Sequence, residues 1–591
     1  MEFKKYIYAF GVGCLSLSGC NYLDITAEDV IEEDHFWETA TAAAFEQYCN
    51  VYYPKLIVGH GAALAWNGSK MLEADFQSDD ILSSGANRVA YGQNTVTTSD
   101  SEWDWKTIRA CNIFLNNYDR SPASGTDKRK YAGEMYFFKA FDYFNKVKRF
   151  GDVPWYSKPL TKKDPDIYKG RDSRILVMDS ILHCINMAVE FLPRKTQVYR
   201  ISKDAALLLK ARICLFEGTY RRYRNLEGDE KFLKEAYQAA GELMKPEYKY
   251  SLYTTGAADE CYFNLFIQDD YNNNPEVILS REYDPNLNMG HQVSNGIPLS
   301  ENGMSRDCYE EFLCSKTGLP ISICGCHNPN MGYIDEMKNR DNRLVQVLCM
   351  PEKGSKYARY LYRTDGDEIK GGAPNIFSKL AGTNERPFYG ASCTGYAIAK
   401  YYKASEHGNG NHKGGTDAPV MRYAEVLLIR AEAAAELGLD PELDKTINAL
   451  RARVGFPHLL TATPIEDPDL MAKYPEIKGP NPNLIREIRR ERRIELFAEG
   501  FRWDDICRWK VGENLLNRER RGAKMDPKLY TAAEIDLIKK QVGFDKNGFI
   551  TPYSILTTFK PDFTEKNYLF NIPLDQTSLN PNLLPNNPGW E

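Results

Sequence analysis

Two distant segments of the chain carry nearly the same helical pattern. LLLKARICLFEG (207–218) and LLIRAEAAAELG (427–438) share Leu-Leu-aliphatic-basic-Ala and place a glycine eight residues after the basic residue. Phe138-Lys139-Ala140 within YFFKAFDYF is a weaker third copy. Ala424, Leu427, Leu428, Ala431 and Ala435 fall on one helical face, and their small alanines let a second helix approach closely. Each strong copy is followed by another helical stretch, KFLKEAYQAAGELM (231–244) and PELDKTINALRARVG (441–455). Paired helices of this kind predict an all-α, tetratricopeptide-like repeat scaffold whose period is not kept strictly. Helical periodicity is expected over 103–118, 127–149, 172–191, 203–218 and 229–245. The repeats therefore occupy about 103–250 and again about 416–512. Residues 250–415 differ in character, being rich in Gly, Asn, Pro and Tyr with weak helical period. They are expected to form a long irregular insertion, and such loops on a rigid scaffold usually carry binding surfaces.

The N-terminus reads MEFKKYIYAFGVGCLSLSGC. Lys4 and Lys5 precede a short apolar stretch (6–17), the layout of a signal segment. Twelve helical residues span only about 18 Å, less than the roughly 30 Å of a hydrocarbon core. Leu17-Ser18-Gly19-Cys20 has the form of a bacterial lipobox, so residues 1–19 are expected to be removed and Cys20 lipidated, anchoring the chain to a membrane. Residues 20–38 would then be an acidic tether that docks through Phe36 and Trp37, with Thr39 capping the next helix. The rest, 39–591, is read as one domain. No later apolar run is long enough to span a membrane.

Lys+Arg 75 against Asp+Glu 81 gives a net charge of −6, which opposes nucleic-acid binding. No nucleophile elbow, zinc-protease helix, phosphate loop or dinucleotide fingerprint occurs, so no catalytic residue is assigned. Asp79-Asp80 is an acidic pair of the type a glycoside hydrolase needs, but adjacent acids are common on solvated faces and at caps. Cys308, Cys314, Cys324 and Cys326, with His327, lack the paired spacing of structural zinc sites. A disulfide suits an oxidising envelope better than zinc, and a purely packing role outranks both. No cofactor is expected; a structural calcium ion stays open from the sequence, although no loop has the spacing of a calcium-binding EF-hand.

Four stretches resemble the SusD/RagB family of nutrient-binding outer-membrane lipoproteins. They are the lipobox with Cys20-Asn21-Tyr22-Leu23-Asp24; FFKAFDYFNKVKRFGDVPWYSKPL (137–160); IREIRRERRIELFAEGFRWDDICRWK (485–510); and YLFNIPLDQTSLNPNLLPNNPGW (568–590). They follow the family order from end to end. The resemblance implies four tetratricopeptide-like units with irregular insertions, surface exposure, no catalysis, and a SusC-like TonB-dependent transporter as partner. It implies an oligosaccharide or polysaccharide ligand, with peptides as the alternative and a lipid-anchored hydrolase using Asp79 or Asp80 a weaker one. Within 485–510, Glu491, Glu495 and Glu499 stand at i,i+4 and would repel unless Arg492 and Arg502 interleave, so this segment is read as structural. A sugar offers an apolar C–H face and a rim of hydroxyls, which call for exposed flat aromatics beside amides or guanidinium groups. The positions that fit are Trp66 with Asn67, Arg88 with Tyr91, Tyr283 with Asn288, and Tyr389.

Overall fold

The computed structural model describes residues 33–61, 69–83, 85–299, 302–328, 331–350, 356–357, 392–410, 412–525, 543–554 and 559–591, with 532, 536, 539 and 556. Helices dominate. After α1 (Glu33–Thr39) and α2 (Ala42–Asn50) come α3 (Lys106–Asn117), α4 (Gly125–Phe150), α5 (Arg174–Phe191), α6 (Lys203–Arg222) and α7 (Asp229–Leu243). A second group comprises α8 (Tyr423–Leu437), α9 (Ile447–Arg453), α10 (Pro482–Glu495) and α11 (Arg502–Trp509). Ser124, Ser173 and Ser202 accept backbone N–H bonds at the starts of α4, α5 and α6, satisfying donors that a helix leaves unpaired. Gly438 ends α8 in the left-handed region at φ 72°, where a side chain would be strained.

Neighbouring helices pack as hairpins, α4 on α5 and α6 on α7, and α8 then lies against both α7 and α10. The repeat glycine Gly218 explains the closeness of α6 and α7: a Cβ there would stand 2.8 Å from Leu233 Cγ and 2.9 Å from its backbone nitrogen. One core runs through α2 to α8, and Phe45, Phe114, Phe138, Tyr143 and Phe150 are buried in it. The all-α expectation holds. The described strands form three two-stranded antiparallel pairs, of which β1 (Ile81–Leu82) joins β3 (Gly303–Met304) and β2 (Val277–Arg281) joins β4 (Ala418–Arg422).

Two expectations are corrected. Thr39 is the last residue of α1, with its hydroxyl bonded to the His35 carbonyl, and the cap of α2 is Thr41. The end of the acidic tether is thus already helical, and Trp37 is buried against Phe36, Phe45, Tyr48 and Phe114. The middle is also more than loops on a surface. Tyr262, Tyr271, Tyr309, Tyr396 and Tyr401 are fully buried in a second core beneath it.

The acidic ladder is neutralised by arginines other than those its sequence offers. Glu495 is fully buried and receives Arg422 (2.7 Å), Arg453 (2.6 Å) and Arg343 (3.0 Å). Glu499 receives Lys400 and Arg422, and Glu491 receives Arg343 and Arg451. Arg492 pairs instead with Asp505, and Arg502 with Asp79. Helix α10 ends at Glu495, and Ala498 at φ 62° turns the chain before Glu499, so only Glu491 and Glu495 are one helical turn apart; the three charges serve as anchors for strand β4, helix α9 and the middle insertion.

Candidate glycan-binding cleft

A cleft of about 690 Å³ opens between the N-terminal helices, the segment entering α6, and the end of β2. Asn50, Tyr53 and Gly61 form one wall, Tyr199 and Arg200 the second, and residues 280–283 and 288–290 with His412 the third. These segments are distant in sequence, and polar contacts hold them together. Arg281 Nη1 donates to the carbonyls of Val58 (2.8 Å) and Ile57 (3.3 Å), tying strand β2 to the N-terminal wall. The Tyr283 hydroxyl donates to the Gly61 (3.2 Å) and Val58 (3.3 Å) carbonyls. Arg200 spans Glu134 through two nitrogens and reaches Glu46 at 2.7 Å, while Tyr53 donates to Glu134 at 3.1 Å. That fork is a bidentate pair, which fixes the guanidinium plane as well as its charge.

Beneath the floor lies Asp417, fully buried, accepting from the Tyr283 backbone N–H (2.8 Å) and the Tyr199 hydroxyl (2.9 Å). Burial pushes its carboxyl up to about 7 against those two bonds, and the nearby Glu282 and Asp270 add to the rise. Burial likewise drives the Tyr199 hydroxyl upward, so it acts as a donor at any physiological pH. His60 and His291 crowd the Tyr283 ring, and burial lowers both imidazoles, which keeps this corner uncharged. The open surface is provided by Asn288, Met289, Glu282 and His412, all exposed, with Tyr199 and Tyr53 half-buried. Asn288 sits at φ 57° in a turn whose entry is fixed by the Asp284 carboxylate accepting from Asn286 N–H, so its amide projects from a set backbone. The arrangement offers amide, carboxylate and imidazole groups beside an apolar thioether and two tyrosine rings, and it holds no paired catalytic carboxylates. It can hold a polyhydroxyl ligand.

Of the residues expected at the site, Tyr283 and Asn288 line this cleft. Tyr283 is not the exposed platform expected of it: only 6% of it is exposed, because His60 stacks on its ring, His291 meets it edge-on and its hydroxyl is spent on the backbone. Arg88 is exposed but does not line the cleft. Tyr91 is buried against Tyr553 and Phe559, which removes it as a stacking surface. Trp66, Asn67 and Tyr389 lie outside the described residues, as does Cys20. Asp79 and Asp80 are both buried and salt-bridged to Arg493, and Asp79 also to Arg502, so neither faces a substrate. Sequence reasoning missed Tyr199, Arg200, Glu282 and Met289. VILSREY held little of this signal, since β2 ends at Arg281, is buried through Ser280 without alternation, and Tyr283 follows outside the strand. A second groove, about 300 Å³, was also missed; it is lined by Trp105, Tyr156 and Tyr168 with Arg109 and Lys158.

Comparison with known proteins settles the kinship. The SusD family profile matches residues 275–590, and a profile described as starch-binding associating with outer membrane matches 43–215. The chain belongs to the SusD family. SusD-like protein P38 of Formosa agariphila is 24% identical over 513 residues, covering 83% of this chain and 88% of that one. SusD-like protein P2 of the same organism is 24% identical over 611 residues, covering 99% and 100%. Among solved structures, a SusD-like carbohydrate binding protein of Bacteroides fragilis superposes with a TM-score of 0.70 at 23% identity, covering 93% of this chain and all of that one. A second SusD-like protein of that organism gives 0.67 at 21%, covering 95% and 99%. The fold of the SusD-like proteins is thus shared across nearly the whole chain. Among the described residues no helix is long and apolar enough to cross a membrane.

Proposed function

We propose that the protein is an outer-membrane lipoprotein, anchored through Cys20, that binds an oligosaccharide or polysaccharide and delivers it to a SusC-like TonB-dependent transporter without cleaving it. The observation that carries this reading is the match of residues 43–215 to the starch-binding profile, because that span contributes two of the three walls of the cleft. The cleft supports it by chemistry: exposed Asn288 and Glu282 can meet hydroxyls, and Met289 and the Tyr199 ring can cover a C–H face. Burial of Asp79 and Asp80 weighs against the hydrolase alternative. Two or three such contacts, less the ordering cost, give affinities of roughly mM to µM, adequate for capture followed by release.

Affinity gel electrophoresis of the full-length chain in detergent, against plant, microbial and host polysaccharides, tests the reading. Retardation by a polymer is expected, without release of shorter products. Asn288→Gly keeps the turn, since glycine adopts positive φ freely, but deletes the amide, and it should weaken retardation several-fold. Retention lost in Trp105→Ala and unchanged in Asn288→Gly would move the site to the second groove. No retardation by any polymer, with competition by mixed oligopeptides in a binding assay, would replace glycan by peptide.

A further inference from the structure

Cys314, Cys324 and Cys326 converge: their three sulfurs lie within 4.8 Å of one another. None is bonded to another cysteine, and Cys326 is, among the described residues, the one cysteine that is not buried. A fourth donor adjoins them, because His327 Nδ1 stands 3.2 Å from the Cys324 sulfur. The far nitrogen of that ring, Nε2, is 3.1 Å from the Lys338 carbonyl and donates to it. This contact fixes the tautomer, leaving the Nδ1 lone pair directed at the sulfur cluster. Metal-bound imidazoles are typically held in this way through their second nitrogen.

We propose that these four groups form a structural zinc site, with three thiolates and one imidazole around a single ion. Tetrahedral zinc holds sulfur at about 2.3 Å, which sets the sulfurs about 3.8 Å apart, so closure asks each pair of sulfurs to move by no more than about 1 Å, and the His327 ring, now beside Cys324 alone, to turn in toward the other two. One of the sulfurs already has a donor suited to a thiolate. The Cys326 backbone N–H points at the Cys324 sulfur at 3.3 Å, and the Cys324 thiol donates to the Ile321 carbonyl at 3.6 Å, a bond that binding an ion would give up. A disulfide would use two of the three cysteines and leave the third beside it, whereas a tetrahedral ion uses all three and the histidine. Binding releases the three thiol protons, and the resulting site carries one net negative charge, with Lys316 and Arg340 among the nearby cations. The site would pin the 314–327 loop to the segment that carries Lys338 and Arg340, where Ser315 N–H already bonds the Asn339 carbonyl.

The test is cobalt titration of the full-length chain, purified anaerobically in detergent with reductant and then freed of it. One equivalent should bind, with thiolate-to-cobalt charge transfer in the near ultraviolet and the intense visible bands of a tetrahedral ion, and zinc should displace it. Zinc should also raise the melting midpoint relative to the chelator-treated chain. Cys326→Ser, at the least buried ligand, should lose about one third of the charge-transfer intensity. Its affinity should fall by more than the 10–100-fold, roughly, that losing an outer partner costs. Three freely alkylated thiols with no cobalt absorption, or a Cys–Cys bridge among 314, 324 and 326 in chain purified without reductant, would overturn the proposal.

Discussion

Replacing Glu495 with glutamine keeps the shape of the side chain and removes one buried charge from the centre of the molecule. Three arginines share that carboxylate, and their losses are unequal. Arg422 keeps Glu499 and Glu276, and Arg343 keeps Asp341 and Glu491. Among the described residues Arg453 keeps only Glu276, at 3.6 Å, and its Nε and Nη1 already lack hydrogen-bond partners there. The cost therefore concentrates on a fully buried guanidinium. A unit pair near 4 Å in a medium of effective dielectric 20 is worth about 4 kcal/mol, and breaking a buried pair from one side costs about 3–5 kcal/mol. That is a large part of the roughly 5–15 kcal/mol separating folded from unfolded chains. Urea unfolding followed by tryptophan fluorescence should show a lowered midpoint of matching size. Arg453→Met added to Glu495→Gln should recover at least half of the loss, because it withdraws the stranded charge. A single-variant cost below about 1 kcal/mol, or a double variant as unstable as the sum of its parts, would refute the assignment of Glu495 as the node.

Two further perturbations follow from the geometry. Asp417 binds its proton more tightly folded than unfolded, so its contribution to stability is full below the ordinary carboxylate range near pH 4 and is lost as pH rises through about 7. The melting midpoint of Asp417→Asn should therefore gain on that of the wild type across this interval; parallel curves would remove the raised carboxyl. Gly218→Ala should lower the melting midpoint at a cost of about 1–3 kcal/mol, since the Leu233 backbone cannot yield without moving α7. The opposing gain in helix propensity, about 1 kcal/mol, is smaller, and a raised midpoint would refute the close approach.

The scaffold was legible because its helices are long, periodic and locally capped. The expected 127–149, 172–191 and 229–245 match Gly125–Phe150, Arg174–Phe191 and Asp229–Leu243 to within a few residues. What local pattern could not supply was the identity of distant partners. Tyr91 sits in SSGANRVAYGQN, a polar and glycine-bearing stretch that reads as an exposed loop, yet Tyr553 and Phe559 close over it from the far end of the chain. The same limit governed the ladder at Glu491, Glu495 and Glu499. Its spacing announced repulsion, and the cations that answer it, Arg343, Arg422 and Arg453, lie in three other segments. Asn288 was legible as a cleft residue because a turn rich in Asn and Pro must reach the surface, whereas Tyr283, five residues earlier, belongs to the structure beneath. Cys314, Cys324 and Cys326 fit no spacing rule for zinc, since their meeting depends on how a loop folds back.

The charged node around Glu495 has a mechanical corollary. It rivets the middle insertion, strand β4 and helix α9 to helix α10 at one buried point, where sliding one part past another would strand ions in a medium that cannot solvate them. Shear between insertion and scaffold at this point is opposed by the burial of those charges.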